Sequence, residues 1–228
     1  MYRDFPRVLI LARNFALATR LFLRWVQVTF SHMEPLTILF MGPQGSGKGT
    51  QLELLKGFLA KKGETPIHSV ETGKMFRSFM RGERLTHRLM RESLDQGKRQ
   101  PDFLATFLLG SWCVENIAGM EHIIIDGYPR TLPQADTFDG VMQFYKRYPA
   151  HVVSLELDET RAMERLLKRG RHDDNTQGIR ERLRWYREEV SPIIDMYRSR
   201  EYYIVHAINA NQAIENVHRD ICAALKLI

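Results

Sequence analysis

The run Gly42-Pro43-Gln44-Gly45-Ser46-Gly47-Lys48-Gly49-Thr50 constrains this chain more than any other stretch. It follows a short apolar segment, Ile38-Leu39-Phe40-Met41, and opens a helical pattern in which Leu52, Leu55 and Leu59, with Phe58 beside them, recur at three- and four-residue spacing. A strand that ends in a glycine-rich turn and runs into a helix N-terminus aims several backbone N–H groups and the positive end of a helix dipole at one point, which suits a polyphosphate. Gly42, Gly45, Gly47 and Gly49 keep Cβ atoms out of a loop whose backbone must wrap an anion, and Lys48 adds a point charge for the β and γ phosphates. The spacing fits Gly-x4-Gly-Lys with one departure. Gly49 stands where the general phosphate loop has Ser or Thr for Mg2+, and Thr50 follows it.

Downstream of Pro35, short apolar runs alternate with helical patterns. Candidate strands are Leu36 to Met41, Pro66 to Val70, His122 to Asp126, Val152 to Leu157 and Tyr202 to Ile208. Such alternation predicts an α/β fold, a five-stranded parallel sheet with helices on both faces. The first helix ends at Lys61-Lys62-Gly63, cations and glycine at a C-terminus. Between the second and third strands the chain spends about fifty residues on helices, too many for a simple crossover. Residues 71–100 therefore read as a small helical insert beside the sheet's C-terminal edge, with Met75, Phe76, Phe79, Met80, Leu85, Leu89 and Leu94 as its apolar positions. Near the end, Asp174-Asn175 caps a long helix with Ile179, Leu183, Tyr186 and Val190 on its apolar side, and Pro192 is expected to kink it.

The formal charge of +6 does not point to nucleic acid: five arginines against one aspartate in residues 1–32 supply +4, leaving +2 for the remainder. That first segment interleaves arginines with apolar residues as a basic amphipathic helix, and no uncharged run reaches membrane-span length. Two readings of it stay open: an organelle transit segment, or a stretch upstream of a true start at Met33. Cys113 and Cys222 form neither a Cys-x-x-Cys pair nor a disulfide framework and are expected as buried thiols in a reducing, cytoplasmic setting.

Asp126 closes Ile123-Ile124-Ile125, which puts a carboxylate at a strand tip beside the glycine loop, able to hold Mg2+ through water. Gly127-Tyr128-Pro129-Arg130 follows, and an arginine at that edge can clamp a second phosphate bidentately. Arg165 and Arg169 lie one helical turn apart, Arg171 follows a glycine, and Arg182 sits in the next helix. Phosphoryl transfer spreads charge over equatorial oxygens, so its catalysis is mainly positioning and electrostatic stabilisation, for which this cation set is suited.

From Leu36 to Leu227 these motifs, in this order, resemble the adenylate kinase family of nucleoside monophosphate kinases. The loop with its Lys-Gly-Thr ending, Thr72-Gly73 with Arg77, Asp126-Gly127-Tyr128-Pro129-Arg130-Thr131 with Gln134, and the arginine set carry the resemblance. It implies transfer of the γ-phosphoryl group of Mg-ATP to AMP, by a monomer acting on small nucleotides. Gly45, Ser46, Gly47, Lys48, Gly49 and Thr50 would then hold the donor phosphates, with Arg165 and Gln212 at the donor nucleotide. Thr72, Arg77, Gly127, Tyr128, Pro129, Arg130, Gln134, Arg171 and Arg182 would hold the acceptor, with Lys98, Arg99 and Gln100 along its base. Lys48, Arg130, Arg169, Arg171 and Arg182 would be catalytic. Gln134 suits an adenine better than a pyrimidine; UMP, CMP or another acceptor on the same fold, and an inactive nucleotide-binding module, are the alternatives. Three departures stand out. Lys74 follows Thr-Gly where an acidic residue is usual, Gln100 replaces an apolar residue, and residues 169–174 leave a very short lid without metal-binding cysteines. No Asn-Lys-x-Asp segment supports a GTPase.

Overall fold

The computed structural model describes residues 34–63, 65–95, 99–170 and 175–228. Residues 1–32, Lys98 and the lid residues Arg171, His172, Asp173 and Asp174 lie outside the described residues.

Five strands, β1 (Thr37–Met41), β2 (Ile67–Glu71), β3 (His122–Asp126), β4 (Ala150–Glu156) and β5 (Tyr203–Asn209), form one parallel sheet in the order β2-β3-β1-β4-β5. Each lies within two residues of its expected span. β1 is buried along its whole length, and Ile123, Ile124 and Ile125 of β3 are fully buried, which is why both central strands read as unbroken apolar runs. β5, at the edge, buries Tyr203 and Ile208 and leaves Ile204, Ala207 and Asn209 exposed.

The helices are α1 (Lys48–Lys62), α2 (Thr72–Phe79), α3 (Leu85–Asp95), α4 (Asp102–Asn116), α5 (Leu132–Phe144), α6 (Glu159–Arg169), α7 (Thr176–Trp185), α8 (Ser191–Arg198) and α9 (Ile214–Ala224). Leu39, Met41, Ile125 and Val152 pack with Leu109 of α4, Phe138 of α5 and Ile193 and Tyr197 of α8. Leu52, Leu55 and Leu59 bury the inner side of α1 against the sheet, where α9 also lies. Cys113 and Cys222 are buried free thiols, and burial pushes the Cys113 thiol up to about 11. Among the described residues no helix is long and apolar enough to cross a membrane.

The structure adds detail at two of the expected helical regions. Leu85 and Leu89, two of the insert's apolar positions, are exposed, whereas Met90 of α3 is buried. A two-helix flap is too small to enclose its own interior, so it leans Met75 and Phe76 of α2 on the main core instead. The long helix expected to kink at Pro192 is interrupted just before that residue. One π-helical turn, Tyr186–Val190, separates α7 from α8, and Pro192 occupies the first turn of α8. Proline has no N–H to give the preceding turn, and a widened turn just upstream accommodates the lost hydrogen bond.

At the end of the sheet away from the glycine loop, Arg147 and Glu121 form a buried ion pair. Arg147 donates from Nε to Thr37 Oγ1 (3.1 Å), from Nη1 to Gly119 O (3.2 Å) and Glu121 Oε1 (3.4 Å), and from Nη2 to Glu121 O (2.6 Å) and Leu36 O (3.4 Å). Glu121 Oε2 accepts from the backbone N–H groups of Ala118, Gly119 and Met120. The knot ties the entry of β1 to that of β3.

Candidate active site

Parallel strands place all their C-terminal ends on one edge, and the chain reverses its winding at β1: β3 lies on one side of it, β4 on the other. Open α/β sheets bind ligands at such a switch point. The glycine loop leaves β1 there. Gly42, Gly45 and Gly47 all have positive φ, and a Cβ on Gly45 would sit 2.9 Å from Ala162 O. The loop is thus pressed against α6 where no side chain fits. Lys48 Nζ donates to Gly42 O (2.8 Å) and Pro43 O (2.9 Å), so the lysine spans the loop it belongs to. Ser46 Oγ is buried within the loop without a hydrogen-bond partner among the described residues, a donor that a phosphate oxygen would satisfy.

The register pairs Asp126 with Phe40, one residue before the end of β1, which brings the carboxylate beside Lys48. Burial pushes the Asp126 carboxyl up and the Lys48 ammonium down, and each is the largest influence opposing the other's shift. Arg130 further favours the Asp126 carboxylate, while Arg130 and Arg169 further lower Lys48. Lys48 and Arg130 thus set positive charge around Asp126, opposed by the carboxylate of Glu71.

Thr72 is buried, and its hydroxyl donates to Gly127 O (2.8 Å), locking the start of the insert to the segment after β3. Gly127 has φ +86, and a Cβ there would meet Thr72 Oγ1 at 2.5 Å. The Tyr128–Pro129 bond is cis, and Tyr128 is buried with its hydroxyl donating to Gln134 O (3.1 Å). Arg130 Nε donates to Gly127 O (2.8 Å). Gln134 Oε1 accepts from Arg130 N (2.8 Å), and its Nε2 donates to Asp102 Oδ1 (2.9 Å). Asp102 Oδ2 accepts from Thr131 Oγ1 (2.8 Å), and Arg99 reaches Asp102 and Glu189.

One cleft of about 1700 Å³ brings together most of the expected site. Gly45 to Thr50, Arg165 and Gln212 line it on the donor side. Arg77, Arg99, Gln100, Gly127, Arg130, Gln134, Arg169, Arg182 and Asp126 line the remainder. Tyr128 and Pro129 border a smaller recess of about 90 Å³ that Lys48, Arg130 and Arg182 also line. Thr72 lines neither. Arg165 donates to Ala210 O (3.0 Å) and Arg182 Nε to Gly178 O (3.0 Å). Gln212 Nε2 donates to Asp220 Oδ2 (2.7 Å). Gln100 Nε2 donates to Met90 O (3.2 Å), which leaves Oε1 buried without a partner among the described residues.

The unusual Lys74 has its compensation in Glu71, the residue preceding α2: the two form an ion pair that raises the lysine's pKa. A cation at a helix N-terminus is unfavourable, and the adjacent carboxylate offsets it. Glu71, Asp102 and Glu189 are the site residues that sequence reasoning missed. Pro101-Asp102 was visible as a helix start; its partners lie 29 and 32 residues away.

Comparisons with known proteins agree with this geometry. The adenylate kinase family model matches residues 40–202. An adenylate kinase of Parasynechococcus marenigrum is 33% identical over 190 residues, 82% of this chain and 97% of that protein. An adenylate kinase of Corynebacterium urealyticum is 31% identical over 190 residues, 83% of this chain and 99% of that protein, and one of Bacteroides thetaiotaomicron is 32% identical over 194 residues, 83% and 98%. With the glycine loop, the insert and the arginine-lined cleft all in place, the chain belongs to the adenylate kinase family of nucleoside monophosphate kinases.

Proposed function

We propose that this kinase moves the γ-phosphoryl group of Mg-ATP to AMP, giving two ADP. The observation that carries the reading is one cleft holding a glycine phosphate cradle and, facing it, the guanidinium-bearing residues Arg77, Arg130, Arg169 and Arg182. Two phosphate groups with separate cation sets fit donor and acceptor in one transfer. The loop's backbone N–H groups, Ser46, Lys48 and Thr50 hold the donor phosphates, with Arg165 and Gln212 at the donor nucleoside. Arg77 and Arg130 grip the acceptor phosphate, and Lys48, Arg130, Arg169, Arg171 and Arg182 stabilise the charge of the transferred group. Thr72, Gly127, Tyr128 and Pro129 shape the acceptor pocket; Gln134 reads the acceptor base, with Lys98, Arg99 and Gln100 along it.

Mg2+ enters as part of the donor. Thr50 supplies a hydroxyl and Asp126 a carboxylate on the same cleft, hard oxygen donors of the kind this ion takes, Asp126 through water. When bound, the ion would neutralise phosphate charge on the donor. Residues 169–174 form the minimal lid, and residues 33–228 the catalytic domain. A monomer acting in a cytoplasmic setting completes the proposal, and the buried free thiols suit that setting. A coupled assay of ADP formation with AMP, UMP, CMP, GMP and dAMP in parallel tests the reading: turnover highest with AMP is expected, and turnover mainly with a pyrimidine overturns it.

A further inference from the structure

We propose that Asp102 is a positioning residue that locks the Gln134 amide in one orientation, so that the acceptor site selects a 6-amino purine over a 6-oxo purine. The inference rests on the reading of AMP as acceptor and deepens it.

The lock follows from donor and acceptor chemistry. Gln134 is 3% exposed. Its Nε2 faces Asp102 Oδ1 at 2.9 Å, and its Oε1 faces the Arg130 backbone N–H at 2.8 Å. A carboxylate only accepts and a backbone N–H only donates, so each partner dictates which amide atom must face it. Turning the amide over would set oxygen against carboxylate and N–H against N–H at once. Asp102 cannot drift to relieve this. It is the first residue of α4, its Oδ2 accepts from Thr131 Oγ1 at 2.8 Å, and the Arg99 guanidinium lies 3.5 Å from Oδ1. Thr131 in turn caps α5, accepting from Gln134 N. Two helix starts are therefore stitched together around one amide.

With those bonds made, the Gln134 amide keeps one N–H and one lone pair, side by side on a residue that lines the cleft. Adenine offers an exocyclic N–H donor next to a ring-nitrogen acceptor. Hypoxanthine offers the reverse in the same place, an exocyclic oxygen next to a ring N–H. An amide free to turn would serve both; a locked one serves only the first. Buried polar groups left unpaired are what give hydrogen-bonding sites their discrimination.

IMP differs from AMP at those two positions, so the ratio of kcat/KM for AMP to that for IMP reads the lock directly. Because both acceptors are measured on one preparation, loss of folded enzyme cancels from the ratio. The carboxamide introduced by D102N can donate as well as accept, so this substitution is expected to lower the ratio by about tenfold, the worth of one charge-assisted hydrogen bond. Q134A should lower it too, and D102N should change it less than about twofold further in the Q134A background, since the two residues act as a unit. A role confined to starting α4 would lower both activities and the Tm and leave the ratio as it was. The proposal is overturned if D102N keeps the wild-type ratio, or if it lowers the ratio equally with and without Gln134. Wild-type enzyme that fails to phosphorylate AMP at all instead overturns the proposed function, and the selectivity lock with it.

Discussion

Arg147→Met isolates what the knot at the sheet's far end contributes. Arg147 and Glu121 side chains are 4% and 3% exposed, and the guanidinium serves five acceptors: Thr37, Leu36, Gly119 and two atoms of Glu121. Removing one partner of a buried ion pair costs about 3–5 kcal/mol, because the surviving charge and carbonyls keep their desolvation penalty. At roughly 2–4 °C per kcal/mol for a domain of this size, the Tm should fall by about 6–20 °C. The lower half of that range is expected, because Glu121 Oε2 keeps its three backbone donors. The knot sits at Thr37 and the loop begins beyond Met41, about 13 Å along β1 at 3.3 Å per residue. Below the melting range, KM for both nucleotides should therefore stay within about twofold of wild type. Differential scanning fluorimetry gives the first quantity and steady-state kinetics the second. A Tm within about 2 °C of wild type, well short of the expected fall, would refute the reasoning, as would a large KM change at unchanged Tm.

Three further outcomes are expected. Burial lowers the pKa of His122, His151, His206 and His218, that of His151 to about 4 with help from His206 and Lys226. Below pH 6.5 the unfolded chain binds protons that the folded chain refuses, so stability should be level above that pH and decline toward pH 4; thermal melts show it, and a decline no shallower in His151→Gln excludes that residue as a source. Gly45→Ala places a Cβ 2.9 Å from Ala162 O at φ +87, costing about 1–2 kcal/mol in backbone strain alone, whereas Gly49, with no atom within 4 Å of its would-be Cβ, should accept alanine without loss of Tm. Equal Tm changes for the two would contradict the close packing of loop on α6. Lys48→Met should lower kcat by roughly 10²–10³-fold, the range for losing one preorganised charge stabiliser, and a loss confined to KM would remove Lys48 from the transition state.

What could be read before the structure was local. A glycine loop announces itself because its turn, lysine and helix are contiguous, and β3 is legible because the middle of a strand buried on both faces, Ile123 to Ile125, is continuously apolar. Leu85 and Leu89 show the limit of such patterns: helical spacing of leucines marks one face of a helix but not whether anything covers it. The unread features join distant residues. Arg147 meets Thr37 across 110 positions, Asp102 meets Gln134 across 32, and Arg99 meets Glu189 across 90. Charge and polarity at those places are ordinary for a surface, and only the fold brings them together. Lys74 looked unfavourable beside Thr72-Gly73 until Glu71, three residues back, was seen folded onto it.

The central claim is that two nucleotides meet in this cleft and a phosphoryl group passes between them. Incubating the enzyme with AMP and Mg-ATP labelled at the γ position, and locating the label afterwards, tests it most directly. The account predicts label in the β position of the ADP formed from AMP. Label released only as inorganic phosphate would make the protein a hydrolase, and ATP bound with no label moved would make it a nucleotide-binding module; either contradicts the account.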